Sequence, residues 1–120
     1  MSSEFLLTLV RSNDDPPKFS AEYQAELRQF SSQAKPSSQR ASTRDSVGEV
    51  GGLIGEFIFN NANALIAALS YLGTEWLKVR FGRKLSLKFD GIEIVANNPE
   101  DIEEMLKQVR RFRENQSEQD

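Results

Sequence analysis

Residues 51–112 have the sequence GGLIGEFIFNNANALIAALSYLGTEWLKVRFGRKLSLKFDGIEIVANNPEDIEEMLKQVRRF, and this stretch decides the predicted fold. Its first part predicts a long apolar helix over Leu53–Val79. Its middle predicts a β-hairpin that turns at residues 90–91. Its last part predicts a helix that begins at residues 98–99.

The predicted long helix carries apolar residues around more than half of its circumference. They form two neighbouring stripes at three- and four-residue steps: Ile54, Ile58, Leu65, Leu69, Leu72, Trp76 and Val79, and beside them Leu53, Phe57, Ala64, Ala68 and Tyr71. A helix this apolar is expected to be buried on more than one side, against the sheet and against a partner. Asn61 interrupts the first stripe. It either sets the register between two such helices, as polar seam residues do in coiled coils, or bonds internally within a core helix.

The hairpin is predicted from Asp90-Gly91, which lies between KLSLKF at 84–89 and IEIVAN at 92–97. Asp-Gly between two alternating segments is a strong signal for a tight two-residue turn. One face of the hairpin is apolar and the other polar, so it should cover the core from one side only. On the polar face Lys88 and Glu93 are placed to pair across the strands.

The final helix is predicted from an Asn cap, a Pro at the first helical position and acidic residues in the first turn, at residues 98–101. Its apolar face consists of Ile102, Met105, Leu106, Val109 and Phe112. The polar residues 114–120 predict a frayed tail.

The N-terminal half predicts one strand and one helix. Glu4–Arg11 is β-prone and has apolar residues on both faces, which favours a buried strand. A Ser-, Asp- and Pro-rich turn at 12–18 follows it. Ser20 can then cap an amphipathic helix that ends near Gln33. Lys35–Ser46 has no large apolar residue and no periodicity, so a loop is predicted there.

Together these elements predict a single α+β domain over residues 1–120, with a flexible loop at 35–47. The expected order is strand, helix, loop, long helix, strand, strand, helix. The small sheet would have three strands, with a fourth left open at residues 35–46, and the helices would pack mainly on one of its faces.

Composition excludes several kinds of chemistry. The 120 residues include no Cys and no His, which rules out disulfides, thiol nucleophiles, Cys/His zinc sites and imidazole acid–base catalysis. The net charge of -3 does not favour a general nucleic-acid role, because such domains usually carry a basic excess. Residues 53–72 approach the length of a membrane span, but Glu56 and three Asn residues within them oppose stable insertion. The N-terminus lacks the features of a signal peptide.

The remaining polar motifs have structural explanations. Asp14-Asp15 precedes Pro16 and is typical of a turn, and Glu103-Glu104 lies on a predicted solvated helix face. The glycines before the long helix are not followed by the Gly-Lys-Ser/Thr that a phosphate loop requires. We therefore expect no catalytic residue, no cofactor and no metal, and we do not expect an enzyme.

A basic junction joins the long helix to the hairpin. No acidic residue lies between Glu75 and Asp90, and the segment contains Trp76, Phe81 and the cations Lys78, Arg80, Arg83, Lys84 and Lys88. Cations with interleaved aromatic residues are typical of nucleic-acid binding. Alternatively, the cations mark a helix C-terminus and the polar face of the hairpin, with both aromatic residues in the core. Docking of an acidic protein segment is a third interpretation.

The order of elements resembles a known family, the effector-associated constant component of bacterial conflict and immunity systems. The resemblance extends over most of the chain. It rests on the strand FLLTLV, the helix AEYQAELRQF, the turn Gly48-Glu49-Val50-Gly51, an Ala-containing helix that ends in Trp76-Leu77, the basic junction, the hairpin LSLKFDGIEIV and the Asn-Pro-Glu-Asp helix start. At residues 35–46 the family usually has a further strand.

The resemblance implies a non-catalytic adaptor in the bacterial cytoplasm, with effector or peptidase-like proteins encoded nearby as its partners. It supplies no catalytic residues. Combined with the apolar helix, it predicts protein–protein contacts and leaves a homo-oligomer possible. Nucleic-acid binding at the basic junction and peripheral membrane attachment of the apolar helix are the alternative functions. The candidate partner surface comprises Phe57, Asn61, Tyr71, Lys78, Arg80, Arg83 and Lys84.

Overall fold

The computed structural model describes residues 4–42 and 52–118 of the chain, with side chains through residue 115. The described part is an α+β structure built on a five-stranded antiparallel sheet. In chain order its elements are β1 (Phe5–Val10), α1 (Ala21–Ala34), β2 (Ser38–Ser42), β3 (Gly52–Phe59), α2 (Ala62–Ala67), a π-helical segment (Ala68–Gly73), α3 (Thr74–Val79), β4 (Lys84–Phe89), β5 (Ile92–Ala96) and α4 (Pro99–Glu118).

The sheet has the strand order β2-β3-β1-β4-β5. The prediction of a strand near the N-terminus is confirmed, and β1 lies at the centre of the sheet between β3 and β4. Phe5, Leu7 and Leu9 point to the core face and are buried. On the opposite face Leu6 is half-buried and Val10 is exposed. The core therefore lies on one side of the sheet, where the helices pack.

The prediction of a helix from Leu53 was wrong for its first part, because residues 52–59 form strand β3. Leu53 and Phe57 are four residues apart, and so fit both a helical stripe and a period of two. The strand pattern prevails because Leu53, Gly55, Phe57 and Phe59 alternate on the buried face. The glycines also disfavour a helix at this position.

The helix begins instead after Asn61, which is its N-cap. The Asn61 side chain accepts hydrogen bonds from the backbone N–H groups of Asn63 and Ala64, at 2.7 and 3.3 Å. Asn61 therefore does not occupy a seam between helices. From Ala62 to Val79 the backbone is helical without interruption through α2, the π-helical segment and α3, and we call this unit the segmented helix.

Within residues 35–46, where a loop was predicted and a fourth strand left open, residues 38–42 form the edge strand β2 along β3, so the loop prediction was wrong there. An exposed edge strand needs no apolar face, so hydrophobic periodicity gives no signal there. Residues 43–47 of the predicted loop and the 48–51 turn of the resemblance lie outside the described residues. With β2 and β3, the sheet has five strands rather than three or four.

Gly55 gives β3 a backbone conformation that other residues rarely adopt. Its φ is +85°, and a Cβ on it would lie 2.9 Å from the Leu9 carbonyl oxygen. Beside it the register between β2 and β3 shifts, from Gln39↔Phe57 to Ala41↔Leu53. A glycine at such an irregularity is typical of a β-bulge.

Three predictions of local caps and turns are confirmed. Ser20 caps α1 by accepting a hydrogen bond from the Tyr23 N–H at 3.2 Å. The hairpin turns at Asp90 and Gly91, whose φ values are +50° and +75°. Asn98 caps the first turn of α4 by accepting a hydrogen bond from the Asp101 N–H at 3.0 Å.

The C-terminal helix α4 continues to Glu118, so residues 114–118 are helical where a frayed tail was predicted. Its predicted apolar face is confirmed: Ile102, Met105, Leu106 and Val109 are buried, and Phe112 packs against the core. Within residues 4–42 and 52–118, no helix combines the length and hydropathy that a membrane crossing would require.

Candidate functional site

A compact turn between β1 and α1 places a carboxylate inside the protein. The Asp15 carboxylate accepts a hydrogen bond from the Ser12 backbone N–H at 2.7 Å, and the Asp15 N–H donates to the Ser12 carbonyl at 3.1 Å. The Arg11 guanidinium closes the turn by donating to the carbonyl oxygens of Asp15 and Pro16, at 2.9 and 3.2 Å. The Asp15 side chain is completely buried as a result.

Arg83, at the start of the hairpin, supplies the counter-charge. Its Nε and Nη2 donate to the two Asp15 carboxylate oxygens at 3.0 and 2.7 Å, and Nη2 also donates to Glu26 Oε2 at 2.8 Å. Its guanidinium carbon lies 3.7 Å from the centroid of the Trp76 ring. Arg83 is thus buried, because carboxylates satisfy its charge and the indole covers its face.

A second arginine completes this charge network. Arg80 Nε lies 2.8 Å from Asp15 Oδ1, as an ion pair whose alignment is not that of a hydrogen bond. Arg80 Nη1 donates to the Asp14 carbonyl at 3.0 Å. We call Asp15, Glu26, Arg80 and Arg83 the charge network. It joins the turn after β1 to the turn before β4.

The charge network holds Asp15 and Arg83 in their ionised forms. Burial alone would raise the pKa of Asp15, but the hydrogen bonds and charge of Arg83 and the Ser12 N–H lower it below its ordinary value of 3.8. Burial would likewise lower the pKa of Arg83, but Asp15 and Glu26 raise it above its ordinary value. Burial also raises the pKa of the neighbouring Tyr23 to about 12.

The charge network fixes a short turn that exposes an aromatic ring. Gly82 has a φ of +93°, and a Cβ on it would lie 2.8 Å from Ser12 Oγ, so this turn packs tightly against the turn after β1. Between the anchored residues Arg80 and Arg83, Phe81 projects outward and is 93% exposed. We call the surface around this ring the Phe81 surface. It is lined by Phe81 together with Val10, Arg11, Asp14 and Lys84.

A cleft of about 290 Å³ lies between α1 and the segmented helix. Glu26 on α1 and Glu75 on α3 face it from opposite walls. The rest of the lining is a mixture of polar and apolar side chains, and among the apolar ones Tyr71 and Val79 are exposed by 66% and 60%. We call this feature the helical cleft; its further lining residues are Gln29, Phe30, Gln33, Leu72, Trp76 and Arg83.

The structure distributes the predicted partner surface over several environments. Phe57 is fully buried in the core, and Arg83 is buried in the charge network. Tyr71 lines the helical cleft, and Lys84 belongs to the Phe81 surface. The other three residues are the cap Asn61, the exposed Lys78 at the end of α3 and the partly exposed Arg80.

In the folded chain, nearby carboxylates neutralise some of the cations of the basic junction. Asp15 and Glu26 neutralise Arg80 and Arg83, and Lys88 Nζ lies 4.0 Å from Glu93 Oε2 as the hairpin pattern predicts. Trp76 is buried, as expected of a core residue, whereas Phe81 is not. Lys78 and Lys84 remain exposed without an acidic partner in an ion pair among the described residues.

Sequence reasoning missed Asp15, Glu26 and the exposure of Phe81. Asp15 and Arg83 are separated by 68 residues, and no motif spacing connects them. A signal for Phe81 was present, since an aromatic residue in the four-residue turn Arg80-Phe81-Gly82-Arg83 has little chain around it to bury it.

The charge network suits structural support better than catalysis. Asp15 and Arg83 neutralise each other and are shielded from solvent, so neither can exchange protons readily with a bound molecule. Across residues 4–42 and 52–118, no three carboxylates are grouped in a way that could hold a metal ion. The chain matches no known protein-family model, no curated protein and no solved structure.

Proposed function

We propose that this protein is a non-enzymatic adaptor of a bacterial multi-protein defence or signalling system, acting in the cytoplasm through protein–protein contacts. The observation that carries the proposal is the Phe81 side chain, which is 93% exposed on a turn anchored by ion pairs of Arg80 and Arg83 to the buried Asp15. The systemic role rests on the resemblance of the chain to effector-associated constant components.

An exposed aromatic residue on a fixed turn suits protein recognition. Aromatic side chains that enter a partner's pocket dominate the binding energy of many interfaces. Anchoring by Arg80 and Arg83 reduces the entropy that the turn would lose on binding. Burial of the Phe81 ring in a partner would remove its apolar surface from water, which favours binding and which the free chain does not achieve.

The position of the proposed contact differs from the one that the sequence favoured. A docking seam along the apolar helix would have used Phe57, which is buried, and Asn61, which caps α2. The proposed contact lies instead at the end of the segmented helix. The cations Arg11 and Lys84 beside Phe81 favour a partner with an acidic rim around its pocket.

Nucleic-acid binding at the same place is the weaker alternative. Two of the five junction cations are neutralised by carboxylates of the charge network, and Lys88 lies close to Glu93. Few cations therefore remain to contact phosphates, whereas affinity for nucleic acid depends on several such contacts.

The proposal is tested by measuring binding of the purified full chain to each protein encoded by adjacent genes. One of these, or the chain itself, should bind, and Phe81→Ser should weaken that binding by about tenfold or more. Glu103→Ser, at an exposed position on α4, is the matched control and should bind normally. The proposal fails if Phe81→Ser binds as well as the natural chain. It also fails if only nucleic acid binds, with an affinity that falls steeply with salt.

A further inference from the structure

We propose that the occupant of the Phe81 surface is a second copy of this chain, in a twofold dimer in which each Phe81 enters the helical cleft of the other copy. This inference rests on the proposed function, because it names the partner of the same contact. It follows from two complementary features of one molecule: an exposed aromatic ring flanked by cations, and a cleft that combines apolar side chains with a carboxylate on each wall.

The helical cleft offers apolar side chains to an entering aromatic ring. Its volume is about 290 Å³, and its apolar lining includes Phe30, Leu72 and Trp76. Trp76 is held in place, since its indole N–H donates to the Lys84 carbonyl at 3.3 Å and the Arg83 guanidinium covers one ring face. The cleft is therefore preformed, and an entering ring would meet aromatic and aliphatic side chains.

The charges of the two features are complementary. The Phe81 surface contains two cations, Arg11 and Lys84, and one acidic residue, Asp14. Glu26 and Glu75 face the cleft from its two walls, and the only cation in its lining, Arg83, is already paired with Asp15 and Glu26. Glu75 is exposed and makes no ion pair among the described residues. Bringing the cationic rim to the acidic cleft would offset charge on both copies.

The two features are also neighbours, which allows a closed dimer. Two residues that line the cleft flank Phe81 in the chain: Val79 precedes it by two positions and Arg83 follows it by two positions. A twofold axis near Val79 could therefore place each ring in the other copy's cleft at the same time. Val79 is 60% exposed in the single chain, and the contact would cover it. Such an isologous arrangement ends at two copies and forms no filament.

The test is the mass of the full chain in solution, measured by sedimentation equilibrium over a range of concentrations. The natural chain should reach twice its mass of 13.6 kDa. Phe81→Ser, which lacks the ring, and Glu75→Lys, which reverses the charge of one cleft wall, should each raise the dimer dissociation constant by about tenfold or more. Both positions are exposed, so both variants should fold; Glu103→Lys makes the same charge change on α4 and should dimerise normally.

A mixture of the two variants separates this dimer from any other. Phe81→Ser keeps an intact cleft and Glu75→Lys keeps an intact ring, so together they can form one of the two contacts. The mixture should therefore associate more strongly than either variant alone. Mixing without this gain, or a natural chain that stays monomeric at every concentration, overturns the dimer. If the chain is monomeric but binds an adjacent gene product through Phe81, the dimer fails while the proposed function stands.

Discussion

Replacing Asp15 with Asn tests the central feature of the structure, the buried pair of Asp15 and Arg83. The two side chains are 0% and 1% exposed and are joined by hydrogen bonds of 2.7 and 3.0 Å. Asp15→Asn keeps the size of the side chain but removes its charge. Arg83 would then remain buried with Glu26 as its sole carboxylate partner within the charge network.

The expected cost is large for a domain of this size. Removing one member of a buried ion pair typically destabilises a protein by about 3–5 kcal/mol, because the other charge stays buried without compensation. The total free energy of unfolding of a domain is about 5–15 kcal/mol. We therefore expect Asp15→Asn to lose a substantial fraction of its stability, near the lower end of that cost because Glu26 still contacts Arg83.

Urea unfolding followed by the fluorescence of Trp76, the only tryptophan in the chain, measures this loss directly. Trp76 lies under the Arg83 guanidinium and so reports on the same region. Asp14→Asn is the matched control, because Asp14 is exposed and the substitution should change stability by less than about 0.5 kcal/mol. Equal stability of the two variants would refute the assignment of Asp15 and Arg83 as a structural ion pair.

The same pair predicts the direction of the acid dependence. Since the folded-state pKa of Asp15 lies below its ordinary value of 3.8, its ionised form stabilises the fold above that pH. This contribution should be lost as the pH falls from 3.8 through the folded-state pKa. Asp15→Asn should unfold with a shallower dependence on pH in this range, and an unchanged slope would contradict the argument.

Three further substitutions have expected outcomes. The pKa of Tyr23 is raised to about 12 in the folded state, against its ordinary value of 10.0. The free energy of unfolding should therefore fall as the pH rises from 10.0 towards 12. Tyr23→Phe should make the free energy of unfolding, measured by urea titration, depend less on pH in this range. Gly55→Ala should lower the midpoint of thermal unfolding more than Gly91→Ala. Both glycines have a positive φ, but only at Gly55 would the new Cβ meet backbone, since it would lie 2.9 Å from the Leu9 carbonyl oxygen. Equal midpoints of the two variants would show that the backbone shifts to relieve the contact between this Cβ and Leu9. Gln24→Ala should destabilise the fold by about 1–3 kcal/mol in urea, because the buried Gln24 amide bonds both the N–H and the carbonyl of Leu53 at 2.9 Å; a neutral effect would mean that water replaces the amide.

Local chemistry made some elements predictable from the sequence. Ser20, Asp90-Gly91 and Asn98 each act on their immediate neighbours, through a cap or a turn, and each behaves in the structure as its residue type requires. Such signals depend on a few consecutive residues. For that reason they can be recognised in the sequence without knowledge of the rest of the fold.

Elements that depend on distant partners were not predictable in the same way. Leu53 and Phe57 fit a helix and a strand equally well, and pairing with β1 and β2 decides in favour of the strand. Strand β2 has no apolar face, and its backbone pairing with β3 is what defines it. The candidate site depends still more on tertiary structure, because Asp15 and Arg83 meet across 68 residues.

The charge network also explains why an exposed aromatic ring can coexist with a stable turn. A buried ion pair contributes little net stability compared with well-packed apolar residues, since desolvation offsets much of the attraction. Its directional hydrogen bonds fix geometry more effectively, and here they join the turn after β1 to both ends of the turn that carries Phe81. An apolar replacement could fill the same volume, but it would not specify where the two turns stand relative to each other. We therefore infer that Asp15, Arg80 and Arg83 set the position of Phe81 on the surface, from which it would meet the proposed partner.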